Sequence, residues 1–142
     1  PNRDDGEQRG VFSAQVSLPD SLGGGTCRLL ATHLDHRSSD VERLASIRMI
    51  RRLIADNTTP TILGGDFNAT IDSDVMNQVR RDWTLSNQTE RPTFPASHPD
   101  RQIDYIGFRP ADRFQVRQVQ VLDEAVASDH RPILLLLTPV GH

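Results

Sequence analysis

The chain has 142 residues, of which 36% are apolar and 25% charged, and its net formal charge is −3. These values predict a single soluble globular domain over residues 1–142, too short for two ordinary domains. The mild acidity argues against tight non-specific binding to nucleic acid, and no apolar run approaches the roughly 20 residues that span a bilayer. The single cysteine excludes an internal disulfide, and the absence of lysine excludes Schiff-base chemistry.

The start of the sequence bears on its origin. It begins at Pro1 without a methionine and carries no signal-like segment. We therefore expect a processed product or an excised piece of a longer protein, and the compartment stays open.

The first predicted elements form a hairpin. Residues Val11–Leu18 and Thr26–His33 alternate between apolar and polar side chains, which is typical of strands. Between them, Pro19–Gly25 is rich in Gly, Pro, Asp and Ser and predicts a turn. Two strands joined in this way predict an antiparallel pair.

One strong helix is predicted over Ser38–Asp56, ended by Asn57–Pro60. Ser39 and Glu42 have the spacing of a capping box, in which two side chains satisfy the first free N–H groups reciprocally. The apolar residues fall on one stripe at helical spacing: Val41, Leu44, Ile47, Ile50 and Ile54.

The remaining sequence predicts short strands and loops. Thr61–Leu63 is a short apolar strand, Val75–Arg81 a short helix, and Thr84–Pro99 a long loop with three prolines. Further strands are predicted over Ile103–Phe108, Phe114–Leu122 and Ile133–Leu137, the last buried on both faces because it is continuously apolar. The mixture predicts an α/β or α+β fold.

Polar, ionisable residues gather where these strands begin or end. The four stretches are Thr32–His36, Gly65–Ala69, Ile103–Ile106 and Ser128–Pro132, all rich in Asp, Asn and His. Ligand sites of layered α/β folds collect at strand ends, so four such stretches in a small chain indicate a site.

Each stretch also has a structural explanation. Asp66 and Asn68 fit a turn after two glycines, and His33 fits a core histidine. Asp35 and His36 fit a helix cap, and Asp129 and His130 fit a helix or strand cap. Asp104 within an apolar strand is harder to explain, because a buried carboxylate needs a partner. A histidine or an arginine is the expected partner.

Taken in order, these stretches resemble the endonuclease/exonuclease/phosphatase superfamily. The resemblance rests on Thr32–His36, Gly64–Ala69, Pro92–Pro95, Ile103–Ile106 and Ser128–Pro132, and covers nearly the whole chain from about Glu7. It implies part of a four-layer sandwich, in which two mostly antiparallel sheets are flanked by helices. It also implies hydrolysis of a phosphodiester or phosphomonoester by in-line attack of water, with Mg²⁺ or Mn²⁺ as the cofactor.

The resemblance assigns roles to individual residues. Asp66 would orient or deprotonate the attacking water, and Asn68 would contact the phosphate or a second cation. Asp129 would be a hard oxygen ligand for the metal, so that Asp129, Asp66 and Asn68 form the metal-ligand set. His130 would contact the scissile phosphate. The catalytic set is completed by His33, which would stabilise the phosphate or the leaving group, and by Asp104, which would hydrogen-bond His130.

The N-terminal part of the family domain is not recognisable here. That part supplies an Asn and a metal-binding Glu, and the sequence offers neither in the right context. We therefore expect the C-terminal portion of such a domain, completed by the missing N-terminal half or by self-association. A catalytically inert fragment or a binding module that reuses the fold is the alternative function.

The substrate class stays open among nucleic acid, a lipid headgroup and a nucleotide ester. Arg9 and Arg131 are candidate phosphate anchors. A zinc hydrolase is disfavoured because the histidine that should precede His33 in that signature falls at Ala31.

Overall fold

The structure, a computed structural model, describes residues 6–55, 58–87 and 90–140. Its strands and helices in chain order are β1 (Val11–Ser17), β2 (Thr26–His33), α1 (Val41–Ile54), β3 (Thr61–Asp66), α2 (Asp74–Val79), β4 (Thr84–Leu85), β5 (Asp104–Arg109), β6 (Phe114–Val121) and β7 (Ile133–Pro139). Short 3₁₀ turns occupy Asp20–Leu22 and Ala111–Arg113. The predicted strands are confirmed, and β4 is a two-residue strand inside the segment predicted as a loop.

The strands form two sheets. The larger has the order β1-β2-β3-β5-β4, and β6 pairs with β7 in the smaller. The β1–β2 hairpin is antiparallel as predicted, β2–β3 is parallel, and β3–β5 and β4–β5 are antiparallel. The single parallel pair follows from α1, because a crossover helix returns the chain to the same end of the sheet. The mixed, mostly antiparallel α/β fold is confirmed.

Helices cover one face of the larger sheet, whereas the smaller sheet packs against only part of the other, on which Phe12, Val16 and Leu29 stay 70%, 40% and 40% exposed. The main core packs α1 and α2 on the first face, and its residues include Leu30, Ile50, Leu63, Val75 and Tyr105. A second cluster of Cys27, Phe108 and Phe114, with Leu137 packed against it, joins the two sheets. Burial of the helix-covered face and of this second cluster stabilises the fold by roughly 25 cal/mol per Å² of apolar surface removed from water. Cys27 is a buried free thiol, as expected of a small core residue.

The register of three neighbouring strands aligns three ionisable residues. His33 in β2 lies beside Asp66 in β3, and Asp66 lies beside Asp104 in β5. Side chains in one row across a sheet point to the same face. The strand pairing therefore brings parts of three separate sequence stretches together.

The predicted capping box at the start of α1 is wrong. The N-cap is Asp40, with no side-chain hydrogen bond to the helix, and Ser39 Oγ accepts only a long 3.4 Å bond from Val41 N. Glu42 is buried instead of reaching back, and its Oε2 has no hydrogen-bond partner among the described residues. The Arg43 guanidinium stabilises this end by donating to Asp40 Oδ1 and to the carbonyls of Asp35 and Arg37.

The prediction that Ile133–Leu137 is buried on both faces is also wrong. In β7, Leu134 and Leu136 are 39% and 47% exposed. They lie opposite Gln120 and Gln118 of β6, whereas Ile133 and Leu135 lie opposite Val121 and Val119. Within the described residues one face of this two-stranded sheet stays open to solvent. Among the same residues, no helix is long and apolar enough to cross a membrane.

Candidate active site

A cleft of about 710 Å³ opens where β2 and β3 end and β5 begins. It is lined by all the residues that were predicted to be catalytic or metal-binding: His33, Asp66, Asn68, Asp104, Asp129 and His130. They come from β2, β3, β5 and the loops that follow β3 and precede β7. The predicted convergence of the four polar stretches on one cleft is present in the structure.

Asp66 and Asn68 are fixed by a tight turn at the end of β3. Asn68 has φ 47°, in the left-handed region that asparagine tolerates. In this conformation its N–H donates to Asp66 Oδ1 at 2.7 Å, and its Nδ2 donates to Asp66 Oδ2 at 3.1 Å and to Leu34 O at 3.0 Å. The hydrogen bonds that form this turn therefore also hold the Asp66 carboxylate in place at the site.

Asp104 and His130 form the predicted hydrogen-bonded pair. The distance from His130 Nδ1 to Asp104 Oδ2 is 2.8 Å, and Thr93 Oγ1 donates to the same oxygen at 2.6 Å. Because Nδ1 faces the carboxylate, it carries a proton, and the Nε2 edge of the ring is directed at Asp66 Oδ2, 3.9 Å away. The Phe94 ring packs against His130 with centroids 4.7 Å apart.

His33 approaches Asp66 from the other side. Its Nε2 lies 3.3 Å from Asp66 Oδ2, and its side chain is 57% exposed. The interpretation of His33 as a core histidine is therefore wrong. Asp66 is flanked by two imidazoles, one on β2 and one on the loop before β7.

The pKa values of Asp66 and His130 are both raised from their usual values. Burial raises the pKa of the Asp66 carboxyl, and the charge of Asp104 raises it further. The hydrogen bond from the Asn68 N–H and the charges of His33 and His130 lower it but do not outweigh the rise. Burial lowers the pKa of His130, but the hydrogen bond and charge of Asp104, with the charges of Asp66 and Asp129, outweigh it and raise that pKa overall. Asp66 thus becomes a better proton acceptor, and His130 stays cationic to higher pH.

The loop before β7 positions Asp129 at the cleft. Ser128 Oγ donates to Asp129 Oδ1 at 3.3 Å and accepts from His130 N at 3.1 Å, while the Asp129 carbonyl accepts from Ala96 N at 2.7 Å. The Asp129 side chain is exposed. It is therefore an acidic group that a ligand in the cleft can reach.

Of the two arginines predicted as phosphate anchors, only Arg9 lines the cleft. Arg9 lines the cleft, where its guanidinium donates to His36 Nδ1 at 3.2 Å and pairs with Glu7 at 2.7 Å. Arg131 does not line it: its guanidinium donates to Ala96 O and pairs with Asp123.

The alternative prediction, that Asp35 and His36 cap helix α1, is wrong. His36 lines the cleft, and Asp35 is buried and paired with Arg37 at 3.0 Å. The helix cap is Asp40.

Several cleft residues escaped assignment from sequence. Thr93 is fully buried and bonds Asp104, while Phe94 and Arg101 form part of the cleft wall. The Pro92–Pro95 stretch was part of the recognised pattern, but it gave no role to Thr93. Because Thr93 reaches Asp104 across a loop, neither periodicity nor spacing could have revealed the contact.

The donors suit a hard divalent cation. Asp66, Asp104 and His130 bring ligand atoms within 4.8 Å of one another. Asp129 lines the same cleft but lies outside this group. His130 and Asp104 already bond each other, which leaves Asp66 as the member available to a cation, with Asn68 beside it. A divalent cation there would offset the crowding of Asp66 by Asp104.

Comparison with known proteins agrees with this chemistry. Residues 5–130 match the Endonuclease/Exonuclease/phosphatase family. The chain belongs to this family. Members of the family are hydrolases that act on phosphoesters and are generally metal-dependent. A search of curated proteins found no match.

Solved structures of the family share the fold. A Bacteroides vulgatus endonuclease/exonuclease/phosphatase has a TM-score of 0.73 and 24% identity over 90% of this chain and 55% of its own. The mannosyl-6-phosphatase Bt3783 of Bacteroides thetaiotaomicron has a TM-score of 0.69 and 19% identity, over 94% and 66%. D. rerio TDP2 complexed with a single-strand DNA product has a TM-score of 0.72 and 20% identity, over 91% and 61%. The chain thus spans about half to two thirds of these relatives.

Proposed function

We propose that this chain carries the C-terminal catalytic portion of a metal-dependent phosphoesterase that hydrolyses a phosphodiester or phosphomonoester. The observation that carries the proposal is the placement of Asp66 between two imidazoles, one of them held by Asp104. A carboxylate base and a cationic histidine at one point are what attack of water on a phosphate requires.

The chemistry divides among the residues as follows. Asp66 orients a water molecule and accepts its proton as the water oxygen bonds to phosphorus. His130, held by Asp104 through Nδ1, donates from Nε2 to a phosphoryl oxygen and offsets its developing charge. The bond from phosphorus to the leaving oxygen breaks on the side opposite Asp66, and that oxygen takes a proton from solvent. His33, which lies 3.3 Å from Asp66 Oδ2, donates a hydrogen bond to the phosphate.

Other groups complete the site. Asp129, Asp66 and Asn68 would hold Mg²⁺ or Mn²⁺, which when bound neutralises phosphoryl oxygens and polarises the ester. Arg9 lines the same cleft and adds positive charge near the phosphate, while its guanidinium is held by Glu7 and His36.

The test is hydrolysis of bis(4-nitrophenyl) phosphate and 4-nitrophenyl phosphate in Mg²⁺ and in Mn²⁺. Asp66→Asn should lower kcat roughly 10²–10⁴-fold, because it removes a general base without changing the shape of the side chain. Asp123→Asn is the matched control, since Asp123 is 88% exposed and pairs with Arg131 away from the cleft. Full activity in Asp66→Asn would refute the proposal.

A catalytically inert module is the second candidate. It is favoured by the lining of the cleft, to which the described residues contribute aspartates and histidines but no glutamate. This candidate predicts that Mg²⁺ and a phosphate ester still bind in the cleft while no product forms. Calorimetric titration beside the hydrolysis assay separates the two candidates.

A further inference from the structure

Arg101 lies on one wall of the cleft, beside Phe94. Its backbone forms an isolated bridge with Phe94, in which Arg101 N donates to Phe94 O at 3.2 Å and Phe94 N donates to Arg101 O at 3.1 Å. The side chain then folds over the Phe94 ring, with Cζ 4.9 Å from the centroid. Backbone pairing places Arg101 beside Phe94, and the cation–π contact favours this position of the guanidinium.

The charge of Arg101 is poorly compensated within the described part of the chain. Its one acidic neighbour there is Asp100, at 3.9 Å, and both side chains are at least half exposed. Such a contact contributes little. The other arginine of the cleft, Arg9, is engaged by Glu7 at 2.7 Å and by His36. Arg101 is therefore the cation whose planar N–H edge is available to a ligand.

The position of Arg101 relative to His130 limits the size of that ligand. Both residues contact the Phe94 ring, whose centroid is 4.7 Å from the His130 centroid and 4.9 Å from Arg101 Cζ, so the two cations are at most about 10 Å apart. A phosphoryl group at His130 and a second one at Arg101 would therefore be no farther apart than a single sugar unit can span. Guanidinium groups bind such oxyanions bidentately.

We propose that Arg101 binds a second phosphoryl group of the substrate, next to the ester that is hydrolysed. The inference rests on the proposed function for the position of that ester. It makes Arg101 a specificity-determining residue that favours substrates with two neighbouring phosphoryl groups. The shared chemistry could come from a polynucleotide strand or from a bisphosphorylated sugar.

The experiment measures binding by calorimetry on the full chain without added divalent metal. The dinucleotides TpT, pTpT and TpTp share one diester and differ by a terminal phosphate. Fructose 6-phosphate and fructose 1,6-bisphosphate form the second set. We expect about tenfold tighter binding of the doubly phosphorylated member of one set, as for one charge-assisted hydrogen-bond pair. The set that shows the preference identifies the source of the second phosphate.

The variants decide whether Arg101 is responsible. Arg101→Gln should abolish the preference while leaving the affinity for the singly phosphorylated probe within about twofold. Arg91→Gln is the matched control: Arg91 is exposed in the same loop, and its N–H bonds Gln102 Oε1. This control should keep the preference. Thermal melting of Arg101→Gln identifies any loss that comes from unfolding.

The results distinguish a failure of this inference from a failure of the proposed function. If wild type shows no preference in either set, or if Arg101→Gln keeps it, the inference is overturned. If the preference depends on Arg101 but Mg²⁺ and Mn²⁺ support no hydrolysis, the second phosphate site stands and the catalytic proposal falls.

Discussion

Asp104 determines how His130 is presented to the cleft. One carboxylate oxygen, Oδ2, accepts from both His130 Nδ1 and Thr93 Oγ1. The Thr93 hydroxyl is fully buried, and its oxygen also accepts a long 3.4 Å bond from Ile103 N. The orientation of the imidazole therefore depends on a residue that does not face the substrate.

Replacing Thr93 tests this dependence. Thr93→Val keeps the shape of the side chain but removes a buried hydrogen bond to a charged group, which contributes about 1.5–3 kcal/mol. We expect the free energy of unfolding to fall by that amount, and kcat to fall because the Asp104 carboxylate can rotate. Urea unfolding and the phosphate-ester assay measure the two effects.

Thr93→Ser is the control for the hydroxyl. It keeps Oγ and loses one buried methyl group, so it should cost about 1 kcal/mol and leave kcat nearly unchanged. Equal losses of kcat in the valine and serine variants would show that packing, rather than the hydrogen bond, positions Asp104.

The site residues at strand ends could be predicted from sequence, whereas the residues that contact and position them could not. Asp104 needed a cationic partner because it interrupts an apolar strand, and His130 is that partner. Thr93, Phe94 and Arg101 reach the cleft through a loop whose path is set by tertiary contacts. A polar loop sequence carries no period from which such contacts can be read.

At the scale of elements, the close pairing of β2 and β3 places His33 beside Asp66. Gly65 lies opposite Thr32 in this parallel pair, with φ +145°. A Cβ built on Gly65 would lie 1.8 Å from Thr32 O, which is well inside van der Waals contact. The strand can approach only because this position has no side chain.

Gly65→Ala should therefore disrupt the pairing. The clash is with backbone, which cannot move without breaking the sheet, so we expect a loss above about 4 kcal/mol or failure to fold. Gly64→Ala is the matched control: the nearest atom to its Cβ would be Ile106 Cγ1 at 3.7 Å, an ordinary contact. Soluble yield and melting temperature compare the two, and similar behaviour would contradict the geometry.

The loop between β2 and α1 depends on a buried ion pair. Burial raises the pKa of Asp35, but the hydrogen bonds and charge of Arg37 outweigh it and lower that pKa overall. A lowered folded-state pKa stabilises the protein above the unfolded-state value of about 3.9, and this stabilisation is lost as the pH falls through the folded-state value.

Asp35→Asn should therefore be less stable than wild type at pH 7, by roughly 1–3 kcal/mol. The difference should shrink as the pH is lowered from about 5 to 3. Urea unfolding at several pH values measures it, with the exposed Asp112→Asn as a control that shows no comparable difference. A difference that is constant with pH would exclude the ion pair as its cause.

Strand positions were readable from alternation, but their order was not. Nothing local distinguishes β5 as the neighbour of β3, because that pairing joins Thr61 to Arg109 across more than 40 residues. The helix cap was misassigned by one residue, since Ser39 and Asp40 are both good N-caps and tertiary contacts of Arg43 decide between them.

At the scale of the whole molecule, the described residues form three layers rather than four. The helices, the five-stranded sheet and the β6–β7 sheet lie in succession, and the outer layer is incomplete. A sheet of two strands is marginal by itself, and the free edge of β7 has no partner strand among the described residues. The β7 sequence looked like a buried central strand because five apolar residues follow one another, and sequence alone does not say what covers them.

This open sheet predicts self-association of the chain when it is expressed alone. Leu134 and Leu136 expose apolar surface beside an unpaired strand edge, and such edges pair with further strands. Light scattering should give a mass above the 15.9 kDa of one chain, with a dimer as the commonest closed arrangement.

The double variant Leu134→Gln/Leu136→Gln should shift the mass toward the monomer, because it removes the apolar surface. Leu53→Gln, which changes a 56% exposed leucine on α1, should not do so. A wild-type chain that stays monomeric at every concentration would show that this sheet is stable without a partner.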